Sequence, residues 1–256
     1  MKERLENIRR DWPALLAFFL ILLLWWGVCK AGIVPSYMLP SPESVFAAFV
    51  SDFPNLMFHA AVSLQEAVYG LLIGIALAVV IATAMDYFSV MERAVFPILV
   101  VTQTIPTIAI APLLVLWMGF GMAPKITLVV ITTFFPVAVG LLEGYKGVDP
   151  DEIDLLLSMH ASSGQIFRHV KLPAALPSFF AGLKISASYA VVGAVIAEWL
   201  GGFEGLGVYM TRVKKAYAFD KMFAVIILIV IVSLLLMAAV DLLKQAAMPW
   251  ASKKNQ

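Results

Sequence analysis

The sequence predicts an all-α polytopic membrane protein, with six transmembrane helices and a polar, helical loop between the fourth and fifth. Three observations carry that expectation. The chain is 62% hydrophobic and only 14% charged, whereas an average soluble domain is roughly a quarter charged. Its mean hydropathy is +0.93. Five apolar stretches are long enough to serve as spans of about 20 residues, centred on Trp12–Cys29, Ala67–Met85, Ala94–Trp117, Ile126–Leu142 and Met222–Val240. A sixth, Ala174–Leu200, is apolar except for Lys184 near its start and Glu198 near its end. Lys184 comes early enough to snorkel to an interface. All 256 residues read as one membrane domain embedded in a lipid bilayer. The formal net charge of +1 gives no reason to expect nucleic acid as a partner. The single Cys29 excludes an internal disulfide and reads as a buried apolar residue.

The first span follows the basic segment "MKERLENIRR" and carries no charge from Trp12 to Cys29. It is longer than the about 7–15 apolar residues of a signal peptide and has no small-x-small cleavage site close behind. It therefore reads as an uncleaved first membrane helix. The uncharged run from Ala94 to Pro124 is too long for one straight span and contains Pro97, Pro106 and Pro112, then Gly119–Gly121. Proline removes a backbone donor and kinks a helix. Irregular backbone at membrane depth is tolerated where protein or a water-filled cavity satisfies it. "TQTIPT" is thus a candidate pathway wall, the alternative being threonines that bond only their own helix.

Six spans place both termini on one side. Lys2, Arg4, Arg9, Arg10, Arg93, Lys146, Arg168, Lys171, Lys244, Lys253 and Lys254 fall there, against Lys30, Lys125, Arg212, Lys214, Lys215 and Lys221 opposite. The positive-inside rule makes the richer side cytoplasmic. The basic cluster on the outer side sits in "GVYMTRVKKAYAFDKM", which reads as a short amphipathic helix.

The polar passage is "DPDEIDLLLSMHASSGQIFRHVKLP", Asp149–Pro173. Asp149 can cap a helix, Pro150 suits its first position and Glu152 can close a capping box. Ile153, Leu156, Leu157 and His160 share one face. Ser162 and Gln165 offer a second capping box, and Leu172-Pro173 is expected to end the second helix. Two capped helices at a turn either pack on the protein's own spans or present a docking face to a cytosolic partner.

This passage resembles the cytoplasmic motif of permease subunits of binding-protein-dependent ABC importers: E-A-A, three residues, G, nine residues, I-x-L-P. Asp154-Leu155-Leu156, His160, Val170 and Leu172-Pro173 stand at those positions. His160 replaces the glycine. "TQTIPTIAIAPLLVLWMGFGMAPKI", "LPAALPSFFAGLKIS" and "AEWLGGFEGLGVYM" are similar to the family's third span, post-motif span and outer loop. The wording lies closest to permeases for sulfonates, nitrate, taurine and thiamine pyrimidine precursors, with "EWLGG…GLG" leaning to the last.

The resemblance implies a MetI-like fold and a permease homodimer in the cytoplasmic (inner) membrane. An ABC ATPase subunit would sit on the cytoplasmic face and a solute-binding protein on the outer face. The loop at about 144–173 would be the coupling-helix loop, with Ile153, Asp154, Leu156, Leu157, His160, Ala161 and Gly164 meeting the ATPase. His160 is either a turn residue or an ATPase contact. No cofactor is implied, because ATP is bound by the partner subunit. No Gly-Lys dipeptide occurs, so the phosphate-cradling loop of an ATPase is missing from the chain.

Candidate pathway residues are Gln103, Thr104 and Thr107 in the third span, Ser186, Ser188 and Tyr189 in the fifth, and Glu198. Glu198 reads alternatively as an interfacial residue. No arginine lies in any span, which suits a neutral ring better than a sulfonate. His59 and His169 are too far from His160 in sequence to suggest a metal site. A self-sufficient secondary transporter is the rival class, but its usual mid-membrane ionisable groups and internal repeats are not evident.

Overall fold

The computed structural model describes the backbone of residues 2–249, and side chains from Trp12 onward except residue 14. The basic residues expected near the termini at 2–10, 253 and 254 lie outside the described side chains. In chain order the helices are α1 (Lys2–Lys30), α2 (Pro42–Ser51), α3 (Phe53–Tyr87), α4 (Ser89–Thr104), α5 (Thr107–Met118), α6 (Met122–Lys146), α7 (Pro150–Ser158), α8 (Ser163–Ile166), α9 (Leu172–Gly201), α10 (Leu206–Lys215) and α11 (Phe219–Ala247). Among the described residues no strand forms.

Among the described residues four helical stretches are long and apolar enough to cross a membrane: α3, α6, Ser163–Gly201 and α11. The α4–α5 pair makes a fifth if counted as one span. The described apolar part of α1 is the shorter stretch Leu15–Lys30. The 35 residues of α3 extend about 50 Å at 1.5 Å per residue, longer than a roughly 30 Å hydrocarbon core.

The expected third span is not one helix. It turns by 101° between α4 and α5. Ile105 is extended (φ −81°, ψ 122°), as a residue before proline prefers, and Pro106 starts α5 without a side-chain cap. Pro97 and Pro112 stay inside their helices.

The chain divides into two compact units. One comprises the residues up to Met57 with Tyr209–Leu228, and the other Phe58–Val208 with the residues from Ile229 on. Within the first, Trp25 donates to the Pro40 carbonyl at 3.1 Å and stacks on Phe223. Asp52, at the end of α2, accepts from the Tyr209 hydroxyl and from Lys221 Nζ. Burial pushes the Asp52 carboxyl up, but those donors outweigh it and hold it below the ordinary aspartate value. Burial, and then the hydrogen bond to Asp52, raise the Tyr209 phenol.

The second unit is organised by α6 and α9, an antiparallel pair. Gly144 faces Ala175, Gly140 faces Ser178, and Gly182 faces the Pro136 carbonyl. Ser186 Oγ donates to the Thr133 carbonyl at 2.6 Å. A Cβ on Gly182 would collide with the Pro136 carbonyl oxygen, so the two backbones approach this closely only because that position is glycine. Small residues serve this purpose between membrane helices, where dispersion and hydrogen bonds replace the hydrophobic drive.

The second helix of the polar passage does not stop at Leu172-Pro173, as expected, but runs into α9. Phe167–Lys171 form a π turn, and the Leu172 N–H bonds to the Phe167 carbonyl five residues back. This widened turn carries the helix past Pro173, which sits in the first turn of α9 where a missing N–H is tolerated. Lys171 reaches Asp86 at 2.8 and 2.9 Å. Lys184 is paired with Asp241 at 2.6 Å.

A Gly182→Ala variant is expected to lose about 1–3 kcal/mol through overpacking against a rigid backbone. Thermal unfolding in detergent measures it, and an unchanged midpoint would mean that the α6–α9 approach is not as tight as described.

Candidate functional site

Three regions of the second unit gather the residues singled out above. The first is the loop between α6 and α9. Asp149 caps α7 by accepting from the Asp151 N–H at 3.0 Å. At the other end His160 has φ 62°. Its N–H reaches the Leu157 carbonyl at 2.9 Å, and the Ala161 N–H reaches Leu156 at 3.0 Å. This pair of bonds is the Schellman arrangement, with histidine where glycine is usual. The turn-residue reading of His160 thus has a definite geometry. Ser162 and Gln165 then form the expected reciprocal capping box.

Helix α7 buries none of its residues. Ile153 and Leu156 are half-buried, while Asp154, Leu157, His160 and Gly164 are exposed and Ala161 is half-buried. Ile153, Leu157 and Gly164 line a cavity of about 530 Å³ against Thr83, Asp86 and Tyr87 at the end of α3. The apolar groups turned furthest out are Leu155 (63% exposed) and Met159 (70%), which the sequence reading did not select. Around this loop, Lys146 pairs with Glu92, Lys171 with Asp86, and the Tyr145 ring lies 5.3 Å from Phe167.

The second region is a cleft of about 220 Å³ at the α4–α5 bend, closed by α6 and α9. It brings together Gln103, Thr107 and Tyr189 from the sequence reading, with Thr102 and Thr132. Thr104 is not part of it and donates to the Val101 carbonyl at 2.8 Å. Ser186 is fully buried between α6 and α9, Ser188 is half-buried, and neither lines the cleft. Among the described residues no charged side chain lines this cleft.

The third region was mostly missed in the sequence. His59, Ser63 and Glu66 lie one and two turns apart on one face of α3, and all are buried with Lys125 and Glu198. They hold the segment after α9. The N–H groups of Gly205, Leu206 and Gly207 bond to His59 Nδ1 at 3.0 Å, Ser63 Oγ at 2.8 Å and Glu198 Oε2 at 2.6 Å. These donors sit at the start of α10, where a helix cannot satisfy its own N–H groups. Gly205 takes φ 117°, a conformation few other residues adopt. Ser63 also donates to Glu198 Oε1 at 2.6 Å. Lys125 pairs with Glu66 at 2.6 Å and reaches the Glu204 carbonyl at 3.4 Å. Glu198 is therefore enclosed in a capping network and lies outside the cleft. The spacing His59, Ser63, Glu66 is the signal that could have found this group: three polar residues on one stripe of an apolar helix. Among the described residues, no three His, Cys, Asp or Glu side chains are grouped to hold a metal.

Long apolar helices, a broken third span and an exposed helical loop are what a membrane permease presents, and the comparisons place the chain. Residues 70–249 match the family of binding-protein-dependent transport system inner membrane components, and the chain belongs to it. It is 35% identical over 250 residues to the formylaminopyrimidine transport permease protein ThiX of Halalkalibacterium halodurans, covering 96% of this chain and 100% of that one. It is 30% identical over 232 residues to the putative aliphatic sulfonates transport permease protein SsuC of Bacillus subtilis, covering 90% and 84%. Among solved structures it is similar to the methionine ABC transporter MetNI in inward-facing conformations, with a TM-score of 0.60, 20% identity, and 76% of this chain and 94% of that one covered. The fold is thus the all-α, MetI-like one expected, and the chain is an ABC importer permease subunit, with ATP hydrolysis on a separate subunit.

Lys125→Met would leave Glu66 as a buried unpaired charge and is expected to cost about 3–5 kcal/mol. Adding Glu66→Leu should restore most of it. Denaturant unfolding of both variants checks this, and equal losses in the single and the double variant would contradict the pairing.

Proposed function

We propose that this chain forms the translocation pathway of an ABC importer as a homodimer of six-span subunits, with all 256 residues acting as one permease domain. Both termini and the α6–α9 loop would lie in the cytoplasm. The observation that carries the reading is α7: a helix fixed at both ends, between the closely packed α6 and α9, with Leu155, Leu157 and Met159 exposed. Exposed apolar groups on a rigid element mark a docking surface. An ABC ATPase would receive α7 in a groove, with Asp154 at its edge and Ile153, Leu156, Leu157, His160, Ala161 and Gly164 completing the contact or its turn. Nucleotide-driven closure of the ATPase pair would move α7 and, through it, α6 and α9. A solute-binding protein would deliver cargo at the opposite end, where His59, Ser63, Glu66 and Glu198 fix the segment after α9.

The cargo is a small organic solute of the thiamine pyrimidine-precursor kind. The likeness to a formylaminopyrimidine permease supports this, as does the uncharged lining of the cleft. An aliphatic sulfonate is the second reading, favoured by the likeness to the sulfonate permease and by the uncapped start of α5 at the cleft.

Asp154→Lys and Leu155→Asp are each expected to reduce ATPase co-purification and uptake at least about tenfold, a loss of roughly 1.4 kcal/mol of docking energy. Both positions are exposed, so the permease should insert at normal levels. Normal co-purification and uptake in both variants would sink the docking role of α7.

A further inference from the structure

Gln103, Thr107 and Tyr189 meet at the cleft; Gln103 and Tyr189 are exposed and Thr107 half-buried, and none of their side-chain polar groups bonds to another described residue. Their neighbours differ. Thr102 donates to the Leu99 carbonyl at 2.7 Å and Thr132 to the Val129 carbonyl at 2.9 Å, so those hydroxyls are engaged by their own helices. Unpaired polar groups on membrane-spanning helices are costly in contact with lipid, and such groups face water, solute or protein instead. Gln103 and Tyr189 come from α4 and α9, far apart in sequence, and converge only because the chain turns by 101° at Ile105–Pro106.

The chemistry of the cleft narrows what it can hold. Gln103 offers two donors and an acceptor, and Thr107 and Tyr189 each offer a hydroxyl. The half-exposed Tyr189 ring presents a face for stacking. The remaining wall includes Ile105, Ile110 and Val192. With no lysine or arginine in the lining, a full negative charge would leave water with only the start of α5 to offset it, which is unfavourable. The volume of about 220 Å³ is smaller than the roughly 300–1,000 Å³ of pockets for drug-sized ligands, so it suits one ring and excludes large fused systems.

We propose that this cleft is a solute-binding site within the permease itself, selective for a neutral, single-ring heteroaromatic solute. Tyr189 stacks on the ring, and Gln103 and Thr107 pair with its nitrogen and amine edge. This rests on the reading that α4, α5 and α9 border the translocation pathway. The competing occupant is a second copy of this chain covering Gln103 and Tyr189.

The test uses the assembled permease–ATPase complex in lipid nanodiscs, without the solute-binding protein. Saturation-transfer NMR titrations compare 4-aminopyrimidine, neutral at pH 7.5, with ethanesulfonate. The expected result is saturable binding of 4-aminopyrimidine, weakened about five- to tenfold by Gln103→Ala and by Tyr189→Ala, each of which removes one polar or stacking contact. Tyr189→Phe, which keeps the ring, should retain most of the affinity. Absence of 4-aminopyrimidine binding, binding indifferent to both alanine variants, or tighter binding of ethanesulfonate overturns the proposal. So does dissociation of the permease pair by Gln103→Ala or Tyr189→Ala, which would assign these groups to the second copy. If 4-aminopyrimidine does not bind while ATP-driven uptake with the binding protein continues, only the cleft assignment falls. If the complex transports no solute under any condition, the pathway reading falls with it.

Discussion

The close approach of α6 and α9 is the constraint on which the second unit depends. Gly182 against the Pro136 carbonyl, Gly144 against Ala175, and the Ser186–Thr133 bond bring two membrane helices to backbone contact. In lipid that contact is held by dispersion and hydrogen bonding, so it survives only where every side chain at the seam is small or satisfied. The pair takes part in all three regions described above. Its connecting loop is α7, its middle closes the cleft with α4 and α5, and its far end supplies Lys125 and Glu198 to the network at the start of α10. A displacement applied at α7 therefore acts directly on the two helices that border the cleft.

The loop itself shows how a short helix is held in place outside the packed core. Nine residues of isolated helix are too few to be stable alone. Here an aspartate cap, the bonds around His160 and the Ser162–Gln165 box fix both ends without burying the helix. The Lys171–Asp86 pair and the Tyr145–Phe167 ring contact anchor the π turn that leads into α9. The result is a helix with Leu155 and Met159 exposed and Ile153 and Leu156 half-buried, an arrangement in keeping with the proposed docking of the ATPase on α7.

Much of this was legible in the sequence. Hydropathy located the long spans because a bilayer imposes a length on each. The caps at Asp149 and Ser162 were legible because capping is a local matter of side chains within three residues. Spacing to Leu172-Pro173 pointed to the family. What was not legible depends on distant partners. Ser63 and Glu198 are 135 residues apart, and Gly205 and His59 are 146 apart. The stripe His59, Ser63, Glu66 marks a polar face on α3, but nothing local names its distant partners, so Glu198 read as a pathway or interfacial residue, whereas its carboxylate accepts from Ser63 and from the Gly207 N–H at the start of α10. The prolines foretold a disturbed third span, but not a 101° turn. Pro173 signalled a helix end because a π turn, which lets the helix continue, leaves no mark in the spacing.

The proposed coupling carries the state of the ATPase to the cleft through α7, α6 and α9. Its most direct test is the ATP dependence of thiol accessibility at position 103, in a Cys29→Ser, Gln103→Cys permease assembled with its ATPase. Cys29 is the chain's single cysteine, so this background leaves one reporter. Modification by a membrane-impermeant maleimide is expected to change several-fold between the nucleotide-free and ATP-bound complexes. Equal labelling in both states, with the ATPase demonstrably turning over, would contradict it.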